Sequence, residues 1–139
     1  HPESLKLVQS AREVPSWIFT AEQASTERAR AFEAAGVRIM RVPADGEGLS
    51  AKGVLARLAE QGVTRLLIEG GAAVWRAFAS VGLGDEVVIF QAKAAQSRPS
   101  RLVELAARYA EGLDLALTAH RDVGADAVAF LRARWSALL

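Results

Sequence analysis

The residues best placed to do chemistry are Glu69-Gly70-Gly71 and the backbone that follows them. The stretch before them, Thr64-Arg65-Leu66-Leu67-Ile68, is a short run of large aliphatics. Such a run predicts a strand buried on both faces, as inside a parallel sheet. Glu69 then stands at the strand's carboxyl end, and open α/β sheets bind ligands outside the carboxyl ends of their strands. A helical pattern follows from about Ala72. The first turn of a helix leaves N–H groups unpaired and carries partial positive charge, so it suits phosphate. Glycines at 70 and 71 lack a Cβ, so a ligand can come close to the main chain. Two readings fit the pair: a tight strand-to-helix turn, or an anion site. Glu69 reads either as a solvated strand-end carboxylate or as a functional one.

Other chemistries find no support. The chain has no cysteine, which removes disulfides, thiol catalysis and cysteine-ligated zinc. Its histidines are His1 and His120, too few for a histidine-rich metal site, and no metal ligands are expected. His120, beside Arg121 and Asp122, reads as an exposed strand-end residue. No G-x-S-x-G elbow and no Walker P-loop is present. With 17 basic and 16 acidic residues the net charge is +1, which argues against nucleic acid as a partner. No apolar run is long enough for a transmembrane helix, and the start lacks the pattern of a signal peptide. His1 is not a natural initiator, so the chain reads as a processed, tagged or excised piece. The remaining option is a cleft above the strand ends, lined by Glu69, backbone N–H groups and Thr20. It would bind a phosphorylated cofactor whose own chemistry does the work, as in hydride transfer.

The elements that must position these residues alternate. The 139 residues fit one domain, and 51% of them are hydrophobic, enough for a sizeable core. Leu5, Leu7 and Val8 can form one helical turn, which Pro15 would end. Ser16–Thr20 is aromatic and β-branched, hence a strand. Ser25 or Thr26 caps a helix to about Ala35, and Gly36 stops it. Val37–Val42 alternates as a strand, and Pro43–Gly48 is a loop by its turn residues. Ser50 caps a helix that Gly62 ends. After the strand at Arg65–Glu69 come a helix over 72–80, a turn at Val81–Gly84 and a strand at Asp85–Ala92. Trp75 on that helix reads as core. Lys93–Ser100 is a loop and Leu102–Tyr109 a short helix. Leu113–His120 and Ala127–Trp135 form a hairpin about Val123–Asp126. The order β-α-β-α-β-α-β with a final hairpin predicts a three-layer α/β/α fold. Its sheet would be mostly parallel, with an antiparallel hairpin at the C-terminal edge.

Several of these segments together resemble a known family. Leu66-Leu67-Ile68-Glu69-Gly70-Gly71, then Ala77-Phe78, then Gly82-Leu83-Gly84-Asp85-Glu86-Val87-Val88, resembles the reductase domain of the bacterial riboflavin-biosynthesis (RibD) family. That family's run is (L/V)-x-V-E-G-G, a helix with A-F, and a G-L-x-D-E/R-(L/V) turn into a strand. Ser10-Ala11-Arg12-Glu13-Val14-Pro15-Ser16-Trp17 is similar to its T-A-R-E-x-P-T-W stretch. Ala34-Ala35-Gly36-Val37 with Val42-Pro43 fits a third segment. The resemblance covers roughly residues 5–134 and implies a dihydrofolate-reductase-like fold. It implies NADPH as cofactor and reduction of the ribosyl group of a 5-amino-6-(5-phosphoribosylamino)uracil, a phosphorylated pyrimidine, to ribityl. Carried over, Gly70, Gly71 and Ala72 would bind the NADPH phosphates. Glu69 would face the substrate or nicotinamide end as the catalytic residue. Thr20 would lie near the adenosine side. A cytoplasmic homodimer is also implied.

The chain departs from the family's pattern in two places. The family's domain begins with further residues, including its first strands and a second glycine-rich cofactor segment, so this chain reads as the C-terminal part of such a domain. Lys93–Ser100 contains no glycine, where the family has a leucine-rich segment ending in Gly-Gly. That loop favours an alternative from another class: a non-catalytic nucleotide-binding or dimerisation module that kept the fold. Glu69-Gly70-Gly71 favours the reductase.

Overall fold

The computed structural model describes residues 5–46, 48–92 and 101–134, which divide into two compact units, His1–Leu67 and Ile68–Leu139. The glycine-free loop over 93–100 lies outside the described residues.

The first unit is built on a parallel pair, β1 (Trp17–Ala21) and β2 (Arg38–Val42), in register from Trp17 opposite Arg38 to Ala21 opposite Val42. The crossover between them is α2 (Thr26–Ala34), started by Ser25, whose hydroxyl accepts from the Arg28 N–H at 3.3 Å. Gly36 ends it at φ 96°, a left-handed value that favours glycine. One face of the pair packs Ile18 and Ile39 with Phe32 of α2 against Val8, Ala11 and Val37. Val8 belongs to a single turn of helix, α1 (Lys6–Gln9). The other face carries Met40 and Val42, both buried. There α3 (Ala51–Glu60) approaches so closely that a Cβ at Gly53 would lie 3.5 Å from Val42 Cβ. Ser50 caps α3 by accepting from the Gly53 N–H at 3.2 Å. The Pro43–Gly48 loop holds a small ladder, β3 (Ala44–Asp45) with β4 (Gly48–Leu49). Its tip, Gly46, has φ 60°.

The second unit is antiparallel. Helix α4 (Ala72–Ala79) leads through a turn at Gly82, φ 69°, to β5 (Glu86–Ala92). Then come α5 (Arg101–Tyr109) and the hairpin of β6 (Leu115–Val123) with β7 (Asp126–Ala133). The strand order is β5-β7-β6, with β7 central. α5 covers one face through Leu102 and Ala106, packed on Ala127, Ala129 and Leu131 with Val87 and Ile89. Trp75 is half-buried and meets Tyr109 edge-to-face, ring centroids 5.2 Å apart.

The helices, the capping serines and the hairpin match the expectation from sequence. Two features differ. Arg65–Glu69 forms no strand: it pairs with no described residue, and Leu66 and Leu67 are 41% and 78% exposed. A strand that is apolar on both faces needs a ladder on each edge and cover on each side, and neither is supplied here. Likewise, β5 does not continue a parallel sheet but joins the hairpin antiparallel. Glu86–Ala92 pairs residue by residue with Asp126–Arg132. Among the described residues the architecture is mixed α/β with one parallel pair and two antiparallel sheets.

Candidate functional site

The Glu69–Ala72 segment belongs to the second unit. Gly71 caps α4 with φ −61° and ψ 175°, an extended conformation open to any residue, and offers no side-chain hydrogen bond. The Trp75 N–H bonds the Gly71 carbonyl at 3.1 Å. The N–H groups of Ala72, Ala73 and Val74 come before that bond and have no helical acceptor. They form a bare, partly positive helix start. The two glycines have different reasons to be there. A Cβ at Gly70 would stand 2.7 Å from Val74 Cβ, so packing within the turn requires that glycine. A Cβ at Gly71 would meet nothing within 4 Å, so its bare side opens onto free space. Glu69 is exposed and makes no hydrogen bond or ion pair with a described residue. Arg76 folds back on the first turn, its Nε donating to the Ala72 carbonyl at 3.1 Å.

Thr20 belongs to the first unit, one residue before the carboxyl end of β1. Its Oγ1 is buried without a hydrogen-bond partner. An unpaired buried hydroxyl costs on the order of 1–3 kcal/mol, which a ligand's polar group would recover. Beside Thr20 in the parallel register stands Arg41. Its Nη1 donates to the carbonyls of Glu22 at 2.7 Å, Ala24 at 3.0 Å and Ala21 at 3.4 Å. Arg41 therefore fastens the chain leaving β1. Its neighbours in sequence do not mark this residue, because only the strand register places it next to Thr20. The signal was a cation at the penultimate position of a strand that feeds the same sheet end.

In the second unit, the bare N–H groups at the start of α4 and the open side of Gly71 suit an anion; in the first, the orphan Thr20 hydroxyl and the half-buried Arg41 guanidinium are polar groups of the β1–β2 pair. Other sites compare poorly. His120 is exposed, and no group of three metal-ligating side chains occurs among the described residues. No helix among them is long and apolar enough to cross a membrane. A shallow groove of about 330 Å³ beside β5, lined by Trp75, Val88, Phe90 and Tyr109 among others, has no charged lining and does not suit phosphate.

Residues 1–126 match the model of the RibD C-terminal domain. A riboflavin biosynthesis protein RibD of Bacillus amyloliquefaciens is 33% identical over 73 residues, 52% of this chain. The matched stretch is 19% of that relative's length, so only a minor part of it is represented. Among solved structures, a protein-(glutamine-N5) methyltransferase from Alicyclobacillus acidocaldarius aligns at 18% identity, over 96% of this chain and 93% of that one. Its TM-score of 0.30 is too low to bear on the fold.

Proposed function

The chain belongs to the RibD C-terminal domain family, and on that premise we propose that it is the C-terminal part of an NADPH-dependent reductase domain of riboflavin biosynthesis. The substrate is the 5-amino-6-(5-phosphoribosylamino)uracil class, whose ribosyl group becomes ribityl. The coenzyme supplies the hydride when bound. The protein's share is binding and orientation. The N–H groups at the start of α4, with Gly70, Gly71 and Ala72, hold phosphate. Glu69 accepts hydrogen bonds at the reacting end, and Thr20 serves the adenosine end. The proposal includes a dihydrofolate-reductase-like three-layer sheet for the complete domain, in which Arg65–Glu69 gains the neighbours a buried strand requires. It also includes a cytoplasmic homodimer.

The observation that carries this reading is Gly71. No contact among the described residues explains a glycine there, while the uncapped helix start beside it is suited to an anion. The test is a calorimetric titration with NADPH, set against Gly71→Glu. A carboxylate at that position favours the helix dipole yet repels phosphate, so the variant stays folded and loses about tenfold or more in affinity. Saturable binding by the parent chain and its loss in the variant support the reading. Equal affinity in both would move the coenzyme elsewhere.

One observation favours a second reading, a non-catalytic module that kept the fold. Glu69 and the aliphatic run before it are exposed rather than set in a pocket. A folded chain with no affinity for NADPH would support that alternative.

A further inference from the structure

The two edges of the β5-β7-β6 sheet are built differently. The β6 edge is interrupted: its register shifts between Leu117 and Ala119, and the Thr118 hydroxyl donates to the Phe130 carbonyl at 3.1 Å. His120, Arg121 and Asp122 follow along it, all exposed. A bulge and charged side chains are how a sheet edge resists pairing with a further strand. The β5 edge has neither. Glu86–Ala92 runs for 7 residues in unbroken register with β7, and its one charge, Glu86, is held by Arg132 at 3.1 Å. Among the described residues no strand lies on its outer side. The Ala133 N–H bonds the Asp85 carbonyl at 2.8 Å, which sets the phase of the ladder. Val87, Ile89 and Gln91 therefore turn their backbone groups toward β7, while Glu86, Val88, Phe90 and Ala92 turn theirs outward. Val88 and Phe90 are also 41% and 65% exposed. Beside this edge lies the apolar groove to which Trp75, Leu105 and Tyr109 contribute.

We propose that the β5 edge is the interface with a second copy of this chain, β5 pairing antiparallel with β5 about a two-fold axis. The strand is complementary to itself. A register centred on Ile89 uses its full length, setting Val88 opposite Phe90, Glu86 opposite Ala92 and Ile89 opposite Ile89. In that register the outward backbone groups of both copies meet as hydrogen-bonded pairs. No charge meets a like charge, and Val88 with Phe90 makes a β-branched–aromatic pair, a favourable cross-strand combination. Val87 and Ile89 of the second copy fall on the α5 side, where the groove offers apolar cover without a charge. The contact is isologous, so it closes at two copies and leaves the guarded β6 edges outside. The inference rests on the homodimer in the proposed function and supplies its interface; the coenzyme plays no part in it.

The test is sedimentation equilibrium on the parent chain and Phe90→Lys. The parent should be dimeric. Phe90→Lys should raise the dimer dissociation constant by about tenfold or more, because symmetry removes two aromatic pairs at once and puts charge on the edge. Should Phe90→Lys not fold, cross-linking gives a second readout. The chain has no cysteine, so Ile89→Cys introduces a single thiol. Residues opposite each other in a non-hydrogen-bonded pair have Cα atoms about 4.5 Å apart, within disulfide reach. Oxidation with copper–phenanthroline should then give a covalent dimer, whereas Arg121→Cys on the β6 edge should give none. An unchanged dissociation constant in Phe90→Lys, or an Ile89→Cys chain that does not cross-link, would move the contact elsewhere and overturn this interface while leaving the homodimer. A monomeric parent overturns the interface and the homodimer together. In such a monomer, slow hydrogen exchange at the Val88 and Phe90 amides would show another strand on the edge in place of a second copy. None of these outcomes bears on the NADPH titration, which tests the coenzyme reading separately.

Discussion

The carboxyl end of β1, in the first unit, and the start of α4, in the second, are held in opposite ways. At β1, a side chain reaches back to fasten the backbone. Arg41 takes the carbonyls of Ala21, Glu22 and Ala24. At α4, the glycine pair has no side chain to give, Glu69 has no described partner, and the preceding aliphatic run is exposed. The contrast separates two costs of binding. A fastened strand end loses little freedom when a ligand arrives. A bare turn must be ordered by the ligand itself or by neighbours that the isolated segment lacks.

Substitutions can break or sharpen this contrast. The largest effect is expected for Leu102→Ala, beneath the sheet of the second unit. Leu102 is 1% exposed, and the cavity should cost about 2–5 kcal/mol in urea denaturation. If α4 and its turn depend on that sheet for order, coenzyme affinity should fall with it. Next comes Gly36→Ala, in the first unit, where α2 turns into β2. A Cβ there would stand 2.7 Å from Arg12 Cγ, at φ 96°. The left-handed strain alone predicts a loss of roughly 1–2 kcal/mol. Ser25→Ala removes the cap of the helix that leaves the β1 end and should cost about 1 kcal/mol by the same measurement. Smallest is Gly71→Ala, with an expected stability change within about 0.5 kcal/mol, because its backbone is ordinary and the space is open. A clear drop in NADPH affinity without a drop in stability would mark Gly71 as a point of contact. A large stability loss would mark it as a structural turn.

Much of this molecule is local and was legible in the order of residues. Ser25 and Ser50 announce helix starts, and each does accept from the N–H three residues on. Gly36, Gly62 and Gly124 announce chain reversals, and all take positive φ. The alternation in Leu113–His120 announces a strand that pairs with Ala127–Trp135, and the observed hairpin is Leu115–Val123 with Asp126–Ala133, since a period of two already fixes which side chains share a face. Such signals need no distant partner. Tertiary structure decided what depends on one. The aliphatic run before Glu69 has the composition of a buried strand, but a strand exists only where another backbone pairs with it, and no described residue does. β5 has the same character as the other strands, and only the proximity of β7 made its pairing antiparallel. Arg41 looked like one polar residue in an alternating strand. The parallel register, which no single segment contains, set it beside Thr20 and over the end of β1.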